Sequence, residues 1–425
     1  MAKHEKETIS AKRKYSREAP HSKHVALIVE AAIAPRRLLL TGIARYIQEH
    51  EPWCVYLKPA GVEQDLAQWL QNWDGDGIIV SASDPDNSIS PRSGISVVDL
   101  FGSMRERNFP MVHADDLAAG RMGAEHLLSR GFKHFGFWRY IDKGAAWSGR
   151  RFEGFRNALP SDATCQVYES QFPKAGSGGP RTWEHQQREL MTWLTKLPKP
   201  AGVMTSTDLM GQQMLEACQR AEIHVPEEIA VIGVDNDEPI CRIATPPLSS
   251  VALNDHQRGY EAAALLARLM AGEKVPKEPI WIQPSGVVAR SSTDFMAIDD
   301  GSIVKALRFL RENACFNISV DDLVREISLS RSVLERRFRK LVGRTIGAEI
   351  VRLRVDHAIG LLCNTNMELK AIAYHSGFGS QAYMNAVFRK KLGKTPGSYR
   401  DHLRPQSSGR GRNSPLESGG LEFAG

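Results

Sequence analysis

The strongest constraint on the fold of this chain is a pattern that occurs twice between Gly301 and Arg404. Its first copy opens at Ser319-Val320-Asp321-Asp322, a serine followed three residues later by a carboxylate, which is the form of a capping box. Leu323, Val324 and Ile327 then recur at helical spacing and predict the buried face of a short helix. Ser328-Leu329-Ser330 predicts a tight turn, with Ser330 as the cap of the next helix. That helix carries Arg331, Arg336, Arg337, Arg339 and Lys340 around an apolar stripe of Leu334, Phe338 and Leu341, and Gly343 is its stop. In the second copy, a short helix from Leu369 to His375 turns Ile372 and Ala373 inward, and Gly377-Phe378-Gly379 makes the turn. Ser380 starts a helix with Tyr383, Val387, Phe388 and Leu392 on one face and Arg389, Lys390 and Lys391 near its end. A longer helix, from about Ile346 to Cys363, separates the copies as a rigid spacer. Two helix-turn-helix units on one arm can enter major-groove segments one turn, ~34 Å, apart.

Charge is distributed in the same sense. Gly301 to Arg404 holds 19 Lys and Arg against 9 Asp and Glu, a net +10, whereas the whole chain is only +6. Residues 1–23 contribute +4, which leaves −8 for residues 24–300. A run of charge is most often a solvated helix face. Positive charge gathered in one domain, on helices with turn spacing, is instead what counterion-release binding to a polyanion requires.

The strings SRSVLERRFRKLVGRT and AYHSGFGSQAYMNAVFRKKLGKTPGSYR resemble the DNA-binding domain of the AraC/XylS family. The second turn, Phe388, Gly393, Thr395-Pro396 and the closing Tyr399-Arg400 carry the likeness, which covers about a quarter of the chain. The resemblance implies base-edge contacts from Ser332, Glu335 and Arg336 in the first unit, and from Gln381, Ala382 and Tyr383 in the second. The second set includes an alanine and no arginine, so its base readout is expected to be weaker than its phosphate grip.

A length of 425 residues implies two or three domains. At 42% hydrophobic and 24% charged the composition is that of a soluble globular chain, and no run approaches the ~18 apolar residues of a membrane span. The first residues are polar and basic with no apolar segment, so a secretory signal is not expected and a cytoplasmic location is. Six scattered cysteines suit a reducing compartment better than disulfides or zinc. With no HExxH spacing and no GxxxxGK[ST] loop, neither a metal nor a nucleotide cofactor is expected.

From His24 to about Asp299 short apolar strands alternate with amphipathic helices, the pattern of a parallel α/β sheet. Expected strands are Val25–Val29, Val55–Leu57, Gly77–Val80, Ile95–Leu100, Phe135–Trp138, Gly202–Thr205 and Ala230–Val234, with short ones around Trp281 and Val287. Expected helices are Leu38–Ile47, Leu117–Leu128, Phe152–Leu159, Met210–Arg220 and Gln257–Met270. Two such sets imply two lobes around a cleft lined by the C-terminal ends of parallel strands. Gly176 to Pro180 reads as a surface loop, not a phosphate cradle, because no strand-turn-helix frames it. Residues 1–23 and 405–425 read as disordered tails; Lys12-Arg13-Lys14 fits a solvated tail better than a DNA contact.

VHADDLAAGRMGAEHLLSRGFKHFGF, RRFEGFRNAL, VMTSTDLMGQQ and VIGVDND resemble the sugar-sensing core of lactose-repressor-type regulators and periplasmic sugar-binding proteins. The expected architecture is a periplasmic-binding-protein-like two-lobed α/β sensor over 24–299, then an all-α double helix-turn-helix domain over 300–404. This order, with the RSSTDF junction, resembles the xylose-responsive operon activators of enteric bacteria, which implies D-xylose or a related pentose as effector. By position in the sensor motifs, Arg151 and Asp235 match hydroxyl-binding residues. Asp208 stands at a strand's C-terminal end, Trp147 can stack on a sugar ring, and Asn236 is a further candidate. Each has a plainer alternative: Asp208 can cap the next helix, Trp147 can anchor a loop, and Arg151 can pair with a local acid such as Glu153. Asp115 and Asp116 begin a helix and read first as caps, the alternative being that one of them reaches the cleft.

The function implied is a sugar-responsive transcription regulator, double-stranded DNA being its partner and the homodimer its expected state. Family resemblance favours activation, although these residues do not separate contact with RNA polymerase from obstruction of it. Two other classes are a sugar-binding protein without a DNA role, which the +10 domain argues against, and a sugar-acting enzyme. The latter would need a nucleophile–base motif, a cofactor loop or a metal set, and the sequence offers none.

Overall fold

The computed structural model describes residues 22–29, 34–57, 72–81, 94–101, 109–142, 145–171, 180–275, 278–298, 300–316 and 318–403. Residues 1–21 and 404–425 lie outside this set, as do residues 176–179 of the expected glycine-rich loop. The chain forms two compact units, Met1–Ala297 and Ile298–Gly425.

The first unit has two lobes. In the N-terminal lobe, β1 (Lys23–Val29), β2 (Trp53–Leu57), β3 (Gly77–Ser81) and β4 (Ser96–Asp99) form a parallel sheet of order β2-β1-β3-β4. β1 and β3 are buried along almost their whole length, as strands covered on both faces must be. Leu39 and Ile43 of α1 (Ala34–Glu49) pack on this sheet beside Ala262, Ala263, Leu265 and Leu266 of α7 (Asp255–Met270).

The C-terminal lobe is a six-stranded sheet of order β12-β10-β9-β8-β6-β7. Its strands are β6 (His134–Tyr140), β7 (Thr164–Ser170), β8 (Ala201–Thr205), β9 (Ile229–Val234), β10 (Ser249–Ala252) and β12 (Gly286–Val288). The sheet is not wholly parallel as expected: β12 runs antiparallel to β10 at the sheet edge, where the chain returns after passing through α7 and β11 (Ile280–Ile282). The helices of this lobe are α2 (Asp116–Leu128), α3 (Ala146–Ala158), α4 (Pro180–Lys196), α5 (Asp208–Arg220) and α6 (Glu238–Ile243). β5 (Val112–Ala114) pairs in parallel with β11 (Ile280–Ile282). α3 begins six residues upstream of the expected Phe152, so Trp147 and Arg151 stand on a helix and not in a loop.

The second unit consists of α8 (Gly301–Asn313), α9 (Val320–Ile327), α10 (Arg331–Val342), α11 (Ile346–Asn364), α12 (Leu369–His375), α13 (Gln381–Leu392) and α14 (Pro396–Leu403). The Ser319 capping box forms: its hydroxyl accepts from the Asp322 N–H while the Asp322 carboxylate accepts from the Ser319 N–H. Ser330 occupies the N-cap position of α10, but its side chain makes no cap hydrogen bond. Gly377 needs to be glycine twice over, since its φ is +73° and a Cβ there would stand 2.7 Å from the Cys315 carbonyl oxygen. Three expected core positions are corrected. Leu341 is 39% exposed, and Tyr383 and Leu392 are 46% and 36% exposed, so the buried face of α13 is Met384, Val387 and Phe388. Val387 and Phe388 are buried as expected, and Met384, four residues before Phe388, takes the inner position expected of Tyr383.

Candidate functional site

The candidate site is built around Arg151, whose side chain is 6% exposed and makes three polar contacts. Its Nε donates to Asp116 Oδ1 at 2.8 Å, and a terminal nitrogen donates to the Ser206 carbonyl at 2.5 Å and to Asp235 Oδ1 at 3.4 Å. Each partner stands at the end of a strand or the start of a helix: Asp116 opens α2, Ser206 follows β8 and Asp235 follows β9. One turn before Arg151 on α3, Trp147 places its ring 4.8 Å from the guanidinium carbon, with Tyr140 stacked at 6.0 Å. Arg151 does not pair with Glu153; charges brought from two other elements hold it. Burial opposes its charge, and Asp116 and Asp235 outweigh burial, so its pKa is raised.

The three carboxylates have different roles. Asp235 is 22% exposed at its side chain, against 6% for Asp116 and 1% for Asp208 as a residue, so Asp235 is the most open of the three. Its pKa is raised, chiefly by burial; Arg151 opposes the shift, and Asp255 and Asp116 add to it. Asp208 is neither the cap of α5, a position held by Thr207, nor open to the cleft. Its two oxygens accept from the Asp237 N–H at 2.6 Å and the Ser250 hydroxyl at 2.5 Å, so it supports the turn that carries Asp235. Burial first, then the charge of Asp235, raises its pKa. Asn236 also turns away, its Oδ1 accepting from Arg290 at 2.8 Å.

Sequence reasoning read both aspartates of the Asp115-Asp116 pair first as caps. Asp115 does cap α2, accepting from the Ala118 N–H, whereas Asp116 is buried on Arg151. Adjacent acids before a helix look alike in sequence, and only the direction of the first helical turn separates them. The ion pair of Asp255 and Arg258, at 2.8 Å on the first turn of α7, was also missed; both charges act on Asp235. Among the described residues, no cluster of three His, Cys, Asp or Glu is placed to hold a metal, and no helix is long and apolar enough to cross a membrane.

On the second unit, Ser332, Glu335 and Arg336 are exposed on α10, where they line a concavity of about 700 Å³ with Arg339, Lys340 and the start of α11. Glu335 pairs with Arg331 at 3.0 Å, and Arg331 also reaches Asp321 at 2.9 Å, so Glu335 must exchange a partner to meet a base. On α13, Ala382 and Tyr383 are exposed and Gln381 is half-buried. Two exposed faces, each on the second helix of a helix-turn-helix, are the geometry that groove insertion requires.

Comparison with known proteins agrees with both units. Residues 124–293 match the family model described as a periplasmic binding protein-like domain, and residues 323–402 match a helix-turn-helix domain. The xylose operon regulatory protein of Escherichia coli K12 is 31% identical over 89% of this chain and 96% of its own length. Its counterpart in Haemophilus influenzae is 30% identical over 88% and 97%. The solved structure of the xylose-binding transcription activator XylR superposes with a TM-score of 0.74 at 29% identity, covering 90% of this chain and 99% of that one. The chain therefore belongs to the family of xylose operon regulatory proteins, and is a DNA-binding transcription regulator with a sugar-sensor fold, not an enzyme.

Proposed function

We propose that D-xylose or a closely related pentose is the effector of this protein and that it binds between the two lobes. Trp147, Arg151 and Asp235 would touch it, with Asp208 and Asn236 supporting them from behind. The observation that carries this reading is the bridge of Arg151 between buried Asp116 and partly open Asp235, beside an aromatic ring. Arg151 can donate to ring hydroxyls, Asp235 can accept from them, and Trp147 offers a flat apolar face to the sugar's C–H groups. Bound sugar favours the closed arrangement only by the extra affinity it has for that state. The protein would then act in the cytoplasm as a homodimeric activator contacting RNA polymerase, with α10 and α13 reading the operator through Ser332, Glu335, Arg336, Gln381, Ala382 and Tyr383.

Thermal unfolding of the purified protein against pentoses, hexoses and sugar acids tests the reading, since a ligand that binds only the folded state raises the midpoint with its concentration. D-xylose is expected to raise it, and Asp235→Ala to abolish the rise. A rise with another sugar alone would replace D-xylose and leave the cleft in place. No rise with any sugar would remove the effector assignment.

A further inference from the structure

The chain leaves the sensor through residues 290–297, and this exit is bonded to the wall of the cleft at two places. The first is the turn after β9. Asp235 and Asn236 have φ of +108° and +51°, a conformation that non-glycine residues rarely adopt and that persists only where neighbours hold it. The Asp235 N–H donates to Val251 O at 3.0 Å, and the Asn236 N–H donates to Ser250 Oγ at 2.9 Å. Arg290 completes the clamp: one terminal nitrogen donates to Asn236 Oδ1 and the other to Leu248 O, both at 2.8 Å. Its own N–H donates to Ser249 Oγ at 2.7 Å.

The second place is the C-terminal end of α2, the helix whose first residue, Asp116, holds Arg151. Thr293 Oγ1 meets His126 Nε2 at 2.8 Å, Arg130 Nε donates to Thr293 O at 2.7 Å, and the Ala297 N–H donates to Arg130 O at 2.7 Å. Both acids that share Arg151 therefore connect to the same eight residues, Asp235 through its neighbour Asn236 and Asp116 along α2. Residue 297 closes the first unit, and the chain runs on directly into the DNA-binding unit.

We propose that Arg290 is a positioning residue that transmits effector binding: it fastens the exit of the sensor to the strained Asp235–Asn236 turn, so a ligand on the Asp235 carboxylate shifts the segment leading to the DNA-binding unit. The proposal rests on the cleft being the effector site. Its physical content is a coupling free energy between that site and residues 290–297, which must act in both directions. A bond that only tied down a sheet edge would stabilise the fold equally with and without ligand.

The test is hydrogen–deuterium exchange of the full-length protein, with and without saturating D-xylose. Binding is expected to change exchange across 290–297 at least threefold. Arg290→Met removes both donors of the clamp, to Asn236 Oδ1 and to Leu248 O, and leaves the residues of the cleft as they are. It is expected to bind D-xylose within threefold of the parent, yet to retain less than a third of the response at 290–297. Arg290→Lys, which returns a donor to Asn236, is expected to restore part of the response. If Arg290→Met does not fold, Arg290→Gln provides the same comparison. Sugar binding with no response at 290–297, or a full response in the variants, would overturn the proposal while leaving the effector site standing. No binding of any sugar would overturn both together.

Discussion

Asp208 and His126 are buried groups whose titration is expected to govern how the sensor's stability depends on pH, in opposite senses. The folded state of Asp208 binds its proton more tightly than the unfolded chain does, because burial and the neighbouring Asp235 raise its pKa. Stability should therefore fall as pH climbs from the ~3.9 of a free aspartate towards the raised folded value, and level off above it. Asp208→Asn is expected to remove that fall: the Tm difference between pH 5 and pH 8 should shrink when measured on parent and variant together. His126 is pushed down to about 4, first by burial and then by the charge of Arg130. Its contribution is complete above the ~6.5 of an unfolded histidine and is lost as pH falls towards 4. His126→Gln should consequently lose less Tm than the parent between pH 7 and pH 5. Arg151 and Asp235 were legible in the sequence because each lies in a recognisable motif. Asp116, Asn236 and Arg290 were assigned no role or a different one, because their partners are far away in the chain: Asp116 meets Arg151 across 35 positions and Asn236 meets Arg290 across 54.

At the level of whole elements, the cleft depends on helices that touch backbone to backbone. A Cβ at Gly154 would stand 2.0 Å from Leu117 O, and one at Gly120 would stand 1.9 Å from Arg151 O, so α2 and α3 cross with nothing between them. The N-terminal lobe repeats the device with Gly42 against His256 O at 1.9 Å and Gly259 against Leu39 O at 2.1 Å. Close approach at Gly120 and Gly154 is what brings Arg151 to Asp116. Gly154→Ala is expected to cost about 1–3 kcal/mol as overpacking and to weaken effector binding as well, read as a lower Tm and a smaller sugar-induced rise. Gly360, inside α11 with open space around its Cβ position, is the contrast: Gly360→Ala should gain about 0.5–1 kcal/mol in chemical unfolding. Strands buried on both faces, such as β1, β3 and β9, were legible as apolar runs. β7 was not, because none of its residues is fully buried and its sequence is neither an apolar run nor a clean alternation, and α4 was not, because its exposed face is strongly polar. The antiparallel placing of β12 is a property of the connection, which local composition does not encode.

For the molecule as a whole, the contrast between +10 on the second unit's helices and −8 on residues 24–300 makes DNA affinity an electrostatic quantity. If the two helix-turn-helix units neutralise about 6–10 phosphates, affinity for double-stranded DNA should fall about 10³–10⁵-fold between 50 and 200 mM salt. Fluorescence anisotropy over that range measures the slope, and Arg336→Ala should make it shallower. The two-lobed plan was legible because alternating strands and helices announce it. The return of α7 to the first lobe was not, since a helix's period does not name the sheet it will cover. That return has a consequence for the order of assembly. The core of the N-terminal lobe joins Val25, Leu27, Leu39 and Ile79 to Ala262, Ala263, Leu265 and Leu266, whereas the main core of the C-terminal lobe lies between Trp138 and Leu248. A ribosome that has just released residue 250 has therefore supplied the main core cluster of the second lobe and left the first lobe's open. The part of this protein that is made first is the part that must wait, its apolar sheet uncovered, for a helix that begins at Asp255, long after the sheet's last strand has ended at Asp99.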